Sequence, residues 1–292
     1  MKLFPALTSL LLALASSAAM AAPLQVVASF SVLGDMVHQV GGDQVVVRSL
    51  VGPDGDPHTF EPSPRDSQQL SQADLVFVSG LGLEGWINRL ISASGYQHPV
   101  IVASRGVASR TMQEDGATIT DPHAWNSAAN GVIYARNIMA ALIAADPQQA
   151  AYFRQRGNAY IQRLEKLDTW AKATFAALPE NRRVVLTSHD AFGYFGQAYG
   201  VVFLAPVGFS TEAQPAASDI ASLITQLKQH HSRYYFVENQ TDPRLVKQIA
   251  AASGAQPGGA LYPEALSTAS GPAPTYEAAF RHNVEVMAAS MQ

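Results

Sequence analysis

The stretch 147–178, PQQAAYFRQRGNAYIQRLEKLDTWAKATFAAL, divides the chain into two halves. Its apolar residues step mostly by three and four positions, which places them along one face of an α-helix. No proline follows Pro147 within the stretch, and its only glycine is Gly157. At ~1.5 Å per residue the helix would extend about 48 Å. We predict a long, rigid linker helix that joins two lobes and resists the wide hinge closure that flexible strand linkers permit.

The sequence on each side of this helix alternates between short β-rich runs and helical patterns. Such alternation indicates right-handed βαβ units and a parallel sheet, and the continuously apolar strands indicate helices on both faces of that sheet. The predicted fold is therefore α/β, with two similar lobes that each hold a parallel sheet flanked by helices. Strands are predicted at 24–31, 44–50, 73–79, 99–103, 183–188, 201–205, 234–238 and 259–262. Helices are predicted at 32–40, 63–71, 84–93, 130–145, 190–199, 215–230, 242–253 and 275–290.

The first residues of the chain have the pattern of an export signal. Lys2 provides a positive start, 3–14 is an apolar run, and Ala19-Met20-Ala21 is a small-residue cleavage signature. This run is too short to span a membrane. We therefore predict a secretory signal peptide at 1–21, an N-terminal lobe at 22–146, the linker helix at 147–178 and a C-terminal lobe at 179–292. The segment 106–120 is the one loop of note, and it contains no histidine.

Composition excludes several classes of protein. The formal charge is −4, and becomes −5 once Lys2 is removed, so we expect no nucleic-acid partner. Beyond the signal, no run approaches the ~18 uninterrupted apolar residues of a membrane-spanning helix, so we do not expect a membrane-embedded protein. The chain contains no cysteine. This predicts no disulfide, no lipid-modified N-terminus and no thiolate ligand, and we expect a monomer free in the periplasm of a Gram-negative bacterium.

One tripeptide occurs twice in the predicted N-terminal lobe, as Asp56-Pro57-His58 and as Asp121-Pro122-His123. Each copy lies in a segment too polar and too rich in turn residues to be core. Proline fixes its own φ and so leaves the following histidine with less entropy to lose. A single Asp-Pro-His is most often a solvated turn. Two copies reverse that judgement, because a turn does not require histidine.

His189 directly follows the predicted strand 183–188. Ligands of open α/β sheets bind beyond the carboxyl ends of strands, which favours a functional histidine at that position. Together with His58 and His123 it would deliver three imidazoles from three loops, the ligand type that zinc and its neighbours prefer. Spacing alone does not identify the fourth ligand. The candidate carboxylates are Glu264, Glu61, Asp190, Glu238 and Asp242.

The ordered set of motifs resembles the metal-binding solute receptors of ABC importers, which deliver zinc, manganese or iron. The resemblance is carried by 51–62, 73–76, 80–84, 121–125, the linker helix and 187–195. It implies two α/β lobes joined by one long helix, with a single ion in the cleft and a permease in the inner membrane as partner. It also implies the ligand set: His58 and His123 from the first lobe, His189 and Glu264 from the second.

Two positions bear on the metal. Glu264 stands where the family usually has Asp. Position 189 is His, as in receptors that resemble the zinc receptors of the family, whereas members with Glu at this position resemble its manganese receptors. Three imidazoles and one carboxylate suit tetrahedral Zn²⁺, while Mn²⁺ favours more oxygen. The absence of a His-rich loop weakens the zinc assignment modestly. We do not expect this protein to be an enzyme. The alternatives are a Mn²⁺ or Fe²⁺ receptor, an exported metallohydrolase, or an interaction protein whose histidines merely occupy turns.

Overall fold

Two four-stranded parallel sheets form the centre of the computed structural model, which describes residues 22–114, 116–209, 211 and 213–292. The predicted signal peptide at 1–21 lies outside the described residues. The first sheet has the strand order β2-β1-β3-β4. Its strands pair in parallel throughout, as expected when each is followed by a crossover helix. They are β1 (Leu24–Phe30), β2 (Val45–Val51), β3 (Leu75–Val78) and β4 (Val100–Val102).

The segment predicted as a loop at 106–120 contains a β-hairpin, so that prediction is wrong. Strands β5 (Thr111–Glu114) and β6 (Ala117–Thr120) pair in antiparallel register. Asp115-Gly116 separates them in sequence, and Asp-Gly between two short runs is a strong hairpin signal. Gly116 has a φ of +76°, the left-handed conformation that glycine adopts without steric cost.

The second sheet repeats the design of the first, with the order β10-β9-β7-β8 and parallel pairing throughout. Its strands are β7 (Val184–Leu186), β8 (Val202–Leu204), β9 (Tyr234–Glu238) and β10 (Gln256–Leu261). The helices are α1 (Ser31–Gly41), α2 (Pro64–Ser71), α3 (Ile87–Ser94), α4 (Ala128–Ala145), α5 (Ala150–Ala176), α6 (Gly193–Tyr199), α7 (Ala217–Gln229), α8 (Arg244–Ser253) and α9 (Tyr276–Ser290). This confirms the predicted α/β fold with two similar lobes.

Side-chain hydrogen bonds account for where some helices begin. Ser63 is the N-cap of α2 and Pro64 its first residue, and the Asp66 carboxylate accepts a hydrogen bond from the Ser63 backbone N–H. Helix α3 begins at Ile87 rather than at the predicted Glu84. The Glu84 carboxylate is buried and accepts hydrogen bonds from the backbone N–H groups of residues 79 and 80 and from the Ser29 hydroxyl, which holds residue 84 in the preceding turn.

The predicted long helix is confirmed. A single 3₁₀ turn at Pro147–Gln149 precedes α5, which runs for 27 residues. Its apolar stripe packs against α1 and α4 of the first lobe and against α6 and α9 beyond it. The linker is therefore embedded in the core along its length rather than standing free in solvent. Its most deeply buried side chains are Phe153, Tyr160, Leu164, Leu167, Ala171 and Phe175.

The C-terminal helix also ties the two lobes together. Helix α9 packs against β10 of the second sheet and against α1 and α5. At its start, the Tyr276 backbone N–H donates to the Asp35 carboxylate of α1 at 2.8 Å, and the Tyr276 hydroxyl donates to the Trp125 carbonyl oxygen. Phe280 continues this contact, with its ring centroid 5.7 Å from that of Phe195 in α6. Buried residues of both lobes thus share one continuous cluster, and a smaller cluster around Leu186, Leu227 and Ile249 belongs to the second lobe alone.

Helix α4 is long and apolar enough to cross a membrane, with a mean hydropathy of 1.3 over its 18 residues. However, Tyr134, Ile138 and Leu142 on one face are fully buried, and the helix packs between α1 and α5. An apolar helix with one face in the protein interior is the pattern of a core helix.

The shared core predicts that the two lobes unfold together. Phe195 is 1% exposed and lies within 5.7 Å, centroid to centroid, of the rings of Phe175, Tyr199 and Phe280. Phe195→Ala should lower the free energy of unfolding by about 3–5 kcal/mol in one cooperative urea transition, because it leaves a cavity between the lobes. Val202→Ala, at a position that is 50% exposed, should change it by no more than about 0.5 kcal/mol. Two separate transitions would contradict the shared core.

Candidate metal centre

His58 lies in the loop between β2 and α2 and is held by its Asp-Pro-His motif. The Asp56 carboxylate accepts a hydrogen bond from the His58 backbone N–H at 2.8 Å, and its other oxygen accepts one from the Thr211 hydroxyl at 2.6 Å. The His58 side chain is 3% exposed, and the Phe209 ring packs edge-on against it at 4.5 Å. Among the described residues, nothing hydrogen-bonds to its Nδ1. Asp56 therefore fixes the backbone of His58 and not its ring.

His123 follows β6 and is held differently, although its motif is the same. The Asp121 carboxylate accepts hydrogen bonds from both the backbone N–H and the ring Nδ1–H of His123, at 3.0 and 2.8 Å. Arg110 pairs with the other oxygen of Asp121. A Cβ atom at Gly193 would lie 1.2 Å from an Arg110 nitrogen, so only glycine at the start of α6 leaves room for this ion pair. The carboxylate fixes the tautomer and directs His123 Nε2 toward the centre.

Trp125 lines the site and is also a core residue. Its indole N–H donates to the Pro263 carbonyl oxygen at 2.7 Å, and its ring centroid lies 5.7 Å from that of His123. It thus connects the His123 segment of one lobe to the Glu264 segment of the other.

His189 lies at the carboxyl end of β7, where the strand pattern predicts it. The Glu238 carboxylate at the end of β9 contacts the His189 ring Nδ1 and accepts from the backbone N–H groups of Ser188 and His189 at 3.0 and 3.3 Å. Glu238 was one of the candidate fourth ligands, and the structure places it behind His189 instead. The predicted helix start at Asp190 is wrong, because the Asp190 backbone N–H donates to the Val207 carbonyl oxygen and α6 begins at Gly193.

Glu264 lies in the loop after β10 and is fully buried. Its loop is fixed on both sides, by the indole of Trp125 at Pro263 and by the Ser31 hydroxyl, which accepts from the Leu266 backbone N–H at 3.0 Å. Among the described residues, the one group of this kind that could hold a metal ion consists of His58, His123, His189 and Glu264. The remaining candidates, Glu61, Asp190 and Asp242, are not part of it.

The four side chains converge on a common centre, and their ligand atoms lie within 4.8 Å of one another. Glu264 Oε1 is 2.6, 2.8 and 3.3 Å from the Nε2 atoms of His58, His123 and His189. The Nε2 atoms of His58 and His123 are 3.3 Å apart. Bonds of 2.0–2.1 Å to a tetrahedral ion separate neighbouring ligand atoms by about 3.3 Å. The His58–His123 spacing fits such an ion, and Glu264 Oε1 would have to move about 0.5–0.7 Å farther from these two nitrogens.

The charges of the buried cluster shift the pKa values of its members. Burial lowers the pKa of His123, but hydrogen bonds to Asp121 and Glu264 outweigh it and raise the pKa to about 9. For His189, the charges of Glu238 and Glu264 likewise outweigh burial and raise its pKa. Burial raises the pKa of Glu264, but the neighbouring imidazoles outweigh it and hold that pKa well below its usual range.

The charges in this cluster favour a cation. Carboxylates of Asp121, Glu238 and Glu264 lie against the imidazoles, and Arg110 supplies one positive charge. Asp190 is close enough to interact with Asp121, His123 and His189. When the imidazoles are neutral, the group carries a net negative charge, which a bound cation would offset.

Such a fold and such a centre define a class, the metal-binding substrate-binding proteins of ABC transporters. The family model of the periplasmic zinc-uptake complex component A matches residues 26–290, and the chain belongs to that family. This confirms the resemblance inferred from the sequence motifs.

Relatives named for different metals match most of the chain. It is 34% identical to the metal ABC transporter substrate-binding lipoprotein FimA of Streptococcus parasanguinis, over 80% of this chain and 78% of that protein. It is 32% identical to the manganese ABC transporter substrate-binding lipoprotein PsaA of Streptococcus pneumoniae, over 91% of this chain and 88% of that one. The solved structure of the periplasmic zinc-binding protein TroA from Treponema pallidum superposes with a TM-score of 0.86 at 29% identity, covering 92% of this chain and 99% of that one.

The pKa shifts predict how the stability of chelator-treated protein depends on pH. A histidine whose pKa rises from 6.5 to about 9 on folding stabilises the fold fully below pH 6.5 and loses that contribution as pH rises through 9. We expect the free energy of unfolding to fall by roughly 3 kcal/mol between pH 6.5 and 9.5 for His123 alone. Thermal unfolding in that range, with and without added Zn²⁺, measures it. An equally steep loss in the zinc-loaded protein would contradict this assignment, because a coordinated imidazole carries no proton at Nε2.

The hydrogen bond that the His123 ring donates to Asp121 predicts a second effect. Asp121→Asn removes the negative charge behind the imidazole and should weaken Zn²⁺ binding by roughly 10–100-fold, since it makes His123 a poorer donor to the metal. Competition titration against a chromogenic chelator measures the affinity. Asp43→Asn, at an exposed residue at the opposite end of β2 from His58, is the matched control and should have no effect. Equal affinities of the two variants would exclude a role for Asp121.

Proposed function

We propose that this protein is a periplasmic receptor that binds one Zn²⁺ through His58, His123, His189 and Glu264 and presents it to an ABC permease in the inner membrane. The observation that carries the proposal is the convergence of three buried imidazole Nε2 atoms on one carboxylate oxygen. A buried, charged cluster of this kind is costly unless an ion or protons compensate it. Among the described residues, His189 Nε2 is buried without a well-aligned hydrogen bond, although Glu264 lies 3.3 Å away.

The donor set favours zinc among the divalent metals. Three imidazole nitrogens and one carboxylate oxygen are zinc-type ligands, and Zn²⁺ also binds more tightly than Mn²⁺ or Fe²⁺ to most sites of this kind. The alternative is a receptor for Mn²⁺ or Fe²⁺. It is favoured by relatives that are named for those metals, such as the manganese lipoprotein PsaA and the iron lipoprotein MtsA of Streptococcus pyogenes, which is 32% identical over 90% of this chain.

The number of protein ligands favours a protein that carries the ion over an enzyme that uses it for catalysis. A catalytic zinc keeps one coordination position open for water, whereas four protein side chains would occupy all positions of a tetrahedral ion. The family and its relatives are substrate-binding components of transporters. The proposal includes export by the signal peptide predicted at 1–21, a monomer in the periplasm, and lobes at 22–146 and 179–292 on either side of the linker at 147–178.

The proposal is tested by stripping the protein of metal and titrating it with Zn²⁺. We expect one tightly bound ion per chain and, for His189→Ala, an affinity at least roughly tenfold weaker, because one of four ligands is removed. His98→Ala, at an exposed histidine outside the cluster, should bind as the wild type does. The absence of one-to-one binding would end the proposal, and an unchanged affinity of His189→Ala would remove His189 from the ligand set.

The choice between zinc and manganese requires a separate measurement. Competition between the two ions should favour Zn²⁺, and elemental analysis of protein isolated from the native periplasm without added metal should find zinc. Manganese or iron in that preparation would favour the alternative.

A further inference from the structure

The two oxygens of the Glu264 carboxylate have different surroundings. Oε1 faces the Nε2 atoms of the three histidines. Oε2 points away from them and accepts a hydrogen bond from the side-chain amide of Gln240 at 3.0 Å. A carboxylate can bind an ion through both oxygens only when both face it. In this arrangement Glu264 presents one oxygen to the centre.

The segment that carries Gln240 is tied to the segment that carries Glu264. Asn239 donates from its backbone N–H to the Leu261 carbonyl oxygen at 3.2 Å and from its side chain to the Ala265 carbonyl oxygen at 3.2 Å. The amide of Gln240 therefore has a fixed position relative to the carboxylate. The side-chain Oε1 of Gln240 is buried and has no hydrogen-bond partner among the described residues. Within that part of the chain, the polar contact of the Gln240 side chain is therefore its hydrogen bond to Glu264.

We propose that Gln240 is a specificity-determining residue: by holding Oε2 it keeps Glu264 a one-oxygen ligand and the centre four-coordinate, which selects Zn²⁺ against Mn²⁺. The inference rests on the proposed receptor function and concerns how its site discriminates. Three nitrogens and one oxygen complete a tetrahedral zinc site. Mn²⁺ prefers six ligands that are rich in oxygen. The ligand side chains are 0–3% exposed, so solvent reaches the centre poorly and supplies few additional oxygens.

Gln240 could not be chosen from the sequence. It lies 24 residues before Glu264 and two residues after the end of β9, in a Glu-Asn-Gln run where Glu238 is the more conspicuous candidate. Only the parallel pairing of β9 with β10 places its amide beside the carboxylate.

The test uses two variants of the full chain. Gln240→Met keeps the length of the side chain but removes the donor, and Gln240→Asn keeps an amide that is one methylene too short to reach Oε2. Gln229→Met, at an exposed position on α7 of the same lobe, is the control. Circular dichroism and thermal unfolding establish that each variant is folded. With Oε2 free to turn toward the ion, the ratio of Mn²⁺ to Zn²⁺ dissociation constants should fall at least roughly tenfold in both variants.

Cobalt provides a readout of coordination that does not depend on affinity. Co²⁺ bound to the wild type and to Gln229→Met should give the intense visible absorption of a four-coordinate ion, and the Gln240 variants should give the weaker absorption of a five- or six-coordinate one. An unchanged spectrum and an unchanged Mn²⁺-to-Zn²⁺ ratio in folded Gln240 variants would overturn the role of Gln240. Tight one-to-one Zn²⁺ binding with a weak five- or six-coordinate Co²⁺ spectrum in the wild type would also overturn it and leave the receptor function standing. A wild type that binds none of these ions would overturn both.

Discussion

The structure depends on one constraint, the negative charge that is buried where the two lobes meet. Asp121, Glu238 and Glu264 lie against three imidazoles, and all of these carboxylates are at most 3% exposed. Charges in such surroundings cost several kcal/mol each unless partners compensate them. The compensation here comes from backbone N–H groups, from Arg110 and from whatever occupies the centre, either protons on the imidazoles or a cation. The need to satisfy this charge explains why the loops around the site are so strongly tied down.

The fold meets this requirement by joining the ligand loops across the lobes. Parallel sheets bring the carboxyl ends of their strands to one edge, so His189 and Glu238 lie side by side at the ends of β7 and β9. Trp125 links the His123 segment to Pro263, and Ser31 links the first lobe to Leu266. With α5 and α9 packed into a common core, the lobes have little freedom to swing apart as separate bodies.

Much of this was accessible from the sequence, because the signals were local. The alternation of strands and helices, the 3.6-residue period of α5 and the position of His189 at a strand end each depend on neighbouring residues only. The two Asp-Pro-His motifs indicated two candidate ligands but not how they are held. Asp121 binds the ring of His123, whereas Asp56 binds only the backbone of His58 and turns its other oxygen to Thr211. That difference depends on which distant segment approaches each aspartate.

The contacts that the sequence did not reveal are those between segments far apart in the chain. Glu238 and Glu264 are both acids near the ends of predicted strands, and spacing alone did not distinguish the proposed ligand from the residue behind His189. The distinction follows from strand order: β9 lies next to β7, so Glu238 reaches His189, while β10 lies at the outer edge and its following loop turns back over the site. The hairpin β5–β6 is an exception. Its Asp-Gly signal is local, so the sequence alone was sufficient to predict it.

The same buried charge suits the protein to cycle between loaded and unloaded forms. When the ion leaves, its two positive charges must be replaced, or the three carboxylates would repel one another in a poorly solvated interior. His123 and His189 provide that replacement, because the carboxylates that orient them also raise the pKa of each. In the proposed receptor, two protons would take the electrostatic role of one divalent ion. Binding of the ion would expel these protons, so the carboxylates behind the imidazoles would both strengthen the ligands and stabilise the empty site.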